Sequence, residues 1–168
     1  MFTLPQLKEL TDNPNFHKFA GFILSSLDGR KFPDYKKLDL MKIPSLVPNI
    51  WVLDFKEIQT KGCRLHFSGT EVDKNYDRNV TGQYLEKLYS GNDYVQLVEE
   101  QYRNVYFKKM SSYTRRSVHF HDGFVDKYRL IESLLVPCSN DGETINFGLG
   151  LAFYNVTSQS IENHYTWL

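Results

Sequence analysis

Hydrophobic positions in this chain change period several times, and the changes divide it into elements. Leu4, Leu7 and Leu10 recur at helical spacing behind Thr3, a residue suited to cap a short helix. Asn13 then precedes Pro14, and Phe16, Phe19, Ala20, Ile23 and Leu27 share one helical face, with Gly29 just past the end. That combination predicts a stronger helix, which Phe22 and Leu24 make more apolar. Residues 31–48 hold Pro33, Pro44 and Pro48 among many charges and read as a surface connector.

After the connector the period becomes two. Residues 49–58 read as a strand with Trp51, Leu53 and Phe55 on one face. Lys61-Gly62 fits a hairpin turn. A second strand over 62–68 alternates Cys63, Leu65 and Phe67 with Arg64, His66 and Ser68. Residues 70–92 are polar, with apolar spots at Val72, Tyr76, Val80, Leu85 and Leu88 that suit short helical turns. The clearest helix spans 93–109, where Tyr94, Leu97, Val98, Tyr102 and Val105 form a continuous stripe. Three strand-like runs close the chain. The first, 113–121, ends at Asp122-Gly123, a hairpin signal. The second covers 128–137, and Asn140-Asp141-Gly142 turns into the third, 143–154. In that last run Phe147, Leu149, Leu151 and Phe153 alternate with Gly148, Gly150 and Ala152. One face is bulky and the other nearly bare, which permits close approach of a helix or ligand.

This order predicts an α+β fold: a five-stranded antiparallel sheet with helices segregated to one face, plus an N-terminal helical extension. The expected organisation is an extension over 1–30, a connector over 31–48, the domain over 49–157 and a C-terminal tail over 158–168.

Composition narrows the function. The 20 Lys and Arg balance 20 Asp and Glu, so the formal net charge is zero. A nucleic-acid binder or a polybasic membrane-surface protein would carry a basic surplus, and neither partner is expected. The longest nearly apolar stretch, 147–153, is too short to span a bilayer. The N-terminus shows no basic region followed by an apolar run, so no signal peptide is expected. Cys63 and Cys138 lie far apart with no CxxC, which fits a reducing compartment, and we expect a cytoplasmic protein.

The local motifs resemble those of PAS domains. Gly69-Thr70-Glu71-Val72 follows the second strand, and Asn79-Val80-Thr81-Gly82 is similar to the D/N-x-T-G step before the long helix of that family. Tyr128 to Ser139, with Pro137 near its end and Asp141-Gly142 after it, resembles the family's strand–turn–strand. Asn155-Val156-Thr157 stands where many members carry D-x-T. The likeness covers roughly 20–157 and is greatest to a stand-alone family common in alphaproteobacteria, which also has a helical leader. It implies a curved sheet with helices across its concave side, a space for a small ligand, and a sensory or adaptor role in signal transduction through a partner protein rather than catalysis. Asn155 departs from the usual Asp, and with it the usual C-terminal relay. With 11 residues after Thr157, no fused output domain is expected. Haem-binding members generally use a histidine on or near the long helix, and 93–109 has none; photochemical flavin members need a cysteine before it, and 70–92 has none. No cofactor is assigned.

Candidate ligand-binding residues are Tyr94, Val98 and Tyr102 of the stripe, Arg116 and Val118 by strand parity, and Phe67, Glu132 and Phe147. Val118 and Phe120 share parity with Arg116. If that parity is inward, Arg116 reaches the cavity mouth and can bind a carboxylate or phosphate. Glu132, in an otherwise apolar strand, either faces a pocket or pairs at the surface with Arg116 or Arg129. His119 and His121 share a strand face, and with His66 they raise a three-imidazole metal site; no carboxylate or thiol stands at a supporting spacing, and no metal is assigned. No GxSxG, GxGxxG or P-loop occurs, so no catalytic set is assigned. A small α+β enzyme using Glu132 or a histidine as general base is the alternative. The leader's broad apolar face must cover something apolar, most simply a sheet; the resemblance implies packing on the sheet or on a second copy, and the apolar outer sheet face favours a homodimer, with Trp51 and the glycine face of the last strand as candidate contacts.

Overall fold

The computed structural model describes residues 2–88, 93–122 and 125–168. The leader forms two helices, α1 (Leu4–Leu10) and α2 (Pro14–Ser25). Thr3 and Gln6 cap α1 reciprocally, and the Asn13 carboxamide oxygen accepts the Asn15 N–H at the start of α2. The connector winds through three single turns ending at Val47–Asn49. There follow β1 (Ile50–Asp54), β2 (Arg64–Ser68), α3 (Thr70–Lys74), α4 (Leu85–Leu88), α5 (Asp93–Lys108), β3 (Ser112–Asp122), β4 (Val125–Cys138), β5 (Phe147–Thr157) and β6 (His164–Trp167).

The strands form one antiparallel sheet in the order β2-β1-β5-β4-β3-β6. The sequence reading gave five strands. The sixth comes from the supposed tail, which pairs with β3 from Ser112 opposite Trp167 to Arg115 opposite His164. The mostly polar residues 158–163 hide it, because four alternating residues after a loop carry little pattern of their own. The first strand is shorter than its apolar run. Asp54 accepts the Lys56 N–H, and the Glu57 carbonyl then takes the N–H groups of Thr60, Lys61 and Gly62, so the chain coils instead of extending. The β3–β4 ladder runs to Asp122 opposite Val125; the Gly123 of the anticipated turn lies outside the described residues.

Helices cover both faces of the sheet, not one. On one side α1 and α2 bring Leu7, Phe16, Phe19 and Ile23 onto Ile50, Val52, Leu134, Leu149 and Leu151. On the other, α3, α4 and α5 bring Val72, Leu85, Val98 and Val105 onto Trp51, Leu53, Leu135 and Ala152. The reason is legible in β1, where Ile50, Trp51, Val52 and Leu53 are all buried. A sheet apolar on both sides needs two helical layers. The face expected to meet a second copy is therefore covered by this chain's own leader. Trp51 and the glycine face of β5 lie on the opposite, inner side, packed against each other, and are not surface contacts. No helix among the described residues is long and apolar enough to cross a membrane.

Candidate functional site

Between the sheet and the α3–α5 layer lies a cavity of about 190 Å³. Its position follows from strand parity. Gly150 and Ala152 on β5 leave room where bulkier residues would fill the layer, and the Trp51 indole moves into part of that room. The Tyr102 ring of α5 meets that indole, with centroids 5.2 Å apart at 52°. The helix is held over the sheet by Gln101, whose side-chain amide donates to the Ser112 hydroxyl. Leu65, Val72, Leu85, Val118 and Ile131 supply apolar walls.

The polar groups come mostly from β3 and β4. Arg116 and Val118 of β3, and Arg129, Ile131 and Ser133 of β4, all line the cavity. Arg116 stands opposite Ile131 and Val118 opposite Arg129, so the two arginines are diagonal neighbours on one sheet face. Arg116 is 5% exposed, whereas Arg129 is half-buried and donates from Nη1 to the Asn75 carbonyl at 3.4 Å. Asn75, Arg129 and Tyr154 also line a shallower outer cleft, which places Arg129 where the cavity meets the surface.

The wall at the end of α3 rests on the segment from Ser68 to Gly82. Asp73 accepts from the Ser68 hydroxyl at 2.5 Å, from the Val80 N–H at 3.1 Å and from the Asn79 amide at 2.8 Å. Asn79 in turn accepts the Thr81 N–H, and the Gly82 N–H reaches the Leu65 carbonyl. Gly69 passes so close to the connector that a Cβ there would lie 2.4 Å from the Val47 and Pro48 carbonyl oxygens.

Of the residues singled out from sequence, Tyr102, Arg116 and Val118 line the cavity. Val98 is buried in the same layer but packs as core. The Tyr94 side chain lies outside the described residues. Phe67 and Phe147 face the other way and pack with the leader's cluster. Glu132 is also on that opposite face. It accepts hydrogen bonds from the Thr11 hydroxyl at 2.5 Å and the Tyr113 hydroxyl at 2.7 Å, in a cleft where the α1–α2 junction meets the sheet. Burial, and next the hydrogen bond to Glu132, push the Tyr113 phenol well above its ordinary value. Arg116 and Arg129 do not pair with Glu132, because the register puts both on the opposite face of the sheet.

The sequence reading missed Arg129, Ser133, Trp51 and Tyr154 as cavity residues. The available signal was parity: on β4, Arg129, Ile131 and Ser133 alternate away from Glu132. His66 packs against the rings of Tyr35 and Phe147, and β1, β5 and β4 separate its strand from the one carrying His119. Those two imidazoles do not converge, and the described residues hold no group of three or more His, Cys, Asp or Glu placed to bind a metal ion. The His121 side chain lies outside the described residues. No protein-family model, curated protein or solved structure matches the chain.

Proposed function

We propose that this chain is a PAS-like sensory or adaptor domain of bacterial signal transduction, acting in the cytoplasm, which binds a small molecule between its long helix and its sheet and reports to a partner protein. One observation carries the reading: the antiparallel order β2-β1-β5-β4-β3, with α3, α4 and α5 laid across one face and a cavity of about 190 Å³ kept between them. The mixture of aromatic walls and a few polar groups is that of a ligand site. Cys63 and Cys138 are both buried and unpaired, in keeping with a reducing compartment.

The enzyme reading draws less support. Glu132 lies across the sheet from the cavity, and no histidine is among its described lining residues. The homodimer argument also loses its premise, since α1 and α2 occupy the apolar sheet face.

Native mass spectrometry of freshly purified protein tests the proposal. We expect a small-molecule adduct that survives gentle desolvation, and its loss in Tyr102→Ala. An adduct that persists unchanged in Tyr102→Ala would place the ligand elsewhere and remove the reading's support.

A further inference from the structure

We infer that the cleft between the α1–α2 junction and the sheet binds a free α-amino acid with an apolar side chain, its ammonium group held by Glu132 and its carboxylate by Arg115. The sheet separates this cleft from the inner cavity, so the inference stands apart from the sensor reading above.

The cleft measures about 320 Å³, and its chemistry follows from one cross-strand pair. Arg115 of β3 stands directly opposite Glu132 of β4, so both side chains leave the sheet on the face that the leader covers. Opposite charges at such positions ordinarily attract each other into a pair. Here they form none. Glu132 is engaged by hydroxyls instead: its Oε1 accepts from Thr11 of the α1–α2 junction at 2.5 Å and from Tyr113 of β3 at 2.7 Å. Both bonds fall on the same oxygen. Among the described residues Oε2 of Glu132 accepts none, and the Arg115 guanidinium, exposed in the cleft wall, has no hydrogen bond or ion pair. An anionic acceptor and a cationic donor thus line one space, and the protein satisfies neither in full. An ammonium group can donate to the carboxylate oxygen, and a carboxylate can take two parallel N–H bonds from the guanidinium. An α-amino acid carries both groups on one carbon. The rest of the lining repeats the mixture, with Lys8 adding a cation and Glu9 and Asp12 adding carboxylates. A ligand of one sign therefore meets repulsion as well as attraction, and a zwitterion meets both sets in turn. Leu10 and Leu130 supply the hydrocarbon of the cleft, which favours an aliphatic side chain. Because the leader and the sheet each build part of the wall, occupancy should also stabilise the fold.

Isothermal titration of the purified chain with leucine tests this, against isopentylamine, which lacks the carboxylate, and 4-methylpentanoate, which lacks the ammonium group. We expect leucine to bind about tenfold or more tightly than either, the size of one charge-assisted hydrogen bond, and to raise the melting temperature. Arg115→Gln should remove the advantage over isopentylamine. Glu132→Gln, whose amide oxygen still accepts from Thr11 and Tyr113, should remove the advantage over 4-methylpentanoate. Tyr102→Ala, across the sheet, should bind leucine as the parent does. If melting curves show that Glu132→Gln fails to fold, the exposed Arg115 position carries the test. Either single-charge analogue bound as tightly as leucine overturns the inference, and so does the absence of leucine binding. Leucine affinity lost in Tyr102→Ala but unchanged in Arg115→Gln puts the amino acid in the inner cavity, which overturns the assignment of this cleft and supports the sensor reading. Leucine binding as expected, with no Tyr102-dependent adduct in native mass spectrometry, supports this inference and removes the sensor reading alone.

Discussion

The Trp51 indole occupies the space that a side chain on Gly150 would need: a Cβ there would lie 2.2 Å from Trp51 Cε2. The two residues face each other across the β1–β5 ladder. Gly150→Ala should therefore force the indole out of its seat and destabilise the fold by about 1–3 kcal/mol. Because Trp51 also lines the cavity, the same change should shrink it. Urea unfolding gives the first effect and the adduct in native mass spectrometry the second. A variant of unchanged midpoint would show that the indole has room to move.

Glu132 holds two hydroxyls, Thr11 from the α1–α2 junction and Tyr113 from β3. Glu132→Ala leaves both without that acceptor in a partly buried place, an expected loss of about 1–3 kcal/mol. Cavity binding should not change, since the sheet lies between. If the variant lost the cavity adduct at full stability, Glu132 would belong to the cavity after all.

The raised Tyr113 phenol has a pH consequence. Its folded value exceeds the ordinary 10.0, so its contribution is fully present below that value and is lost as pH rises through the folded value. Stability should fall on the alkaline side of about pH 10, and less steeply in Tyr113→Phe. Denaturant midpoints across the alkaline range read this directly.

Asp141 works in the opposite direction. Its carboxylate accepts from the backbone N–H groups of Glu143 and Thr144 and from the Ser139 hydroxyl, and these hold its value well below the ordinary 3.8. The stabilisation is present above that ordinary value and is lost as pH falls below it. Asp141→Asn should flatten the acid limb of the stability profile. An identical limb in the variant would remove Asp141 from the account.

Both cysteines should be inert in the folded chain. Burial, and next the neighbouring Glu86, push the Cys63 thiol up to about 12, and burial raises Cys138 as well. A disulfide exchange reagent at neutral pH should titrate neither thiol until denaturant is added. Prompt reaction of either in native buffer would contradict the packing described here.

Much of the architecture was legible because caps and periods carry it. Thr3, Asn13 and Pro14 mark helix starts that the structure reproduces, and α5 ends at Lys108, one residue from the predicted limit. The apolar face of the leader points to a sheet beneath it, as the structure shows, but that it lies opposite α3–α5 as a second layer is not legible. Alternation in β1 drew attention to Trp51, Leu53 and Phe55, while Ile50 and Val52 between them are equally buried. A strand covered on both sides looks like a run, and which half faces which layer depends on pairing that single-strand patterns do not contain. The site suffered for the same reason. The character of Phe67, Phe147 and Glu132 does not reveal which face they take, whereas β3 parity puts Arg116 and Val118 on the cavity side. Arg129 stands three positions from Glu132 on the same strand and hence on the other side, where it lines the cavity.

The closing strand has a consequence for how copies of this molecule tolerate crowding. On one flank β6 shields the first part of β3, and Ile161 and Asn163 bond to Ser117 beyond it. On the other flank, residues 82–85 satisfy backbone groups of Cys63 and Leu65 along β2. A neighbouring strand therefore meets margins already occupied at Ser112–Arg115 and at Ser117 of β3 and at Cys63 and Leu65 beside β2. Addition of a second copy at the start of β3 would first have to displace β6, so shortening the chain before His164 should raise its tendency to polymerise, which light scattering at high concentration reads.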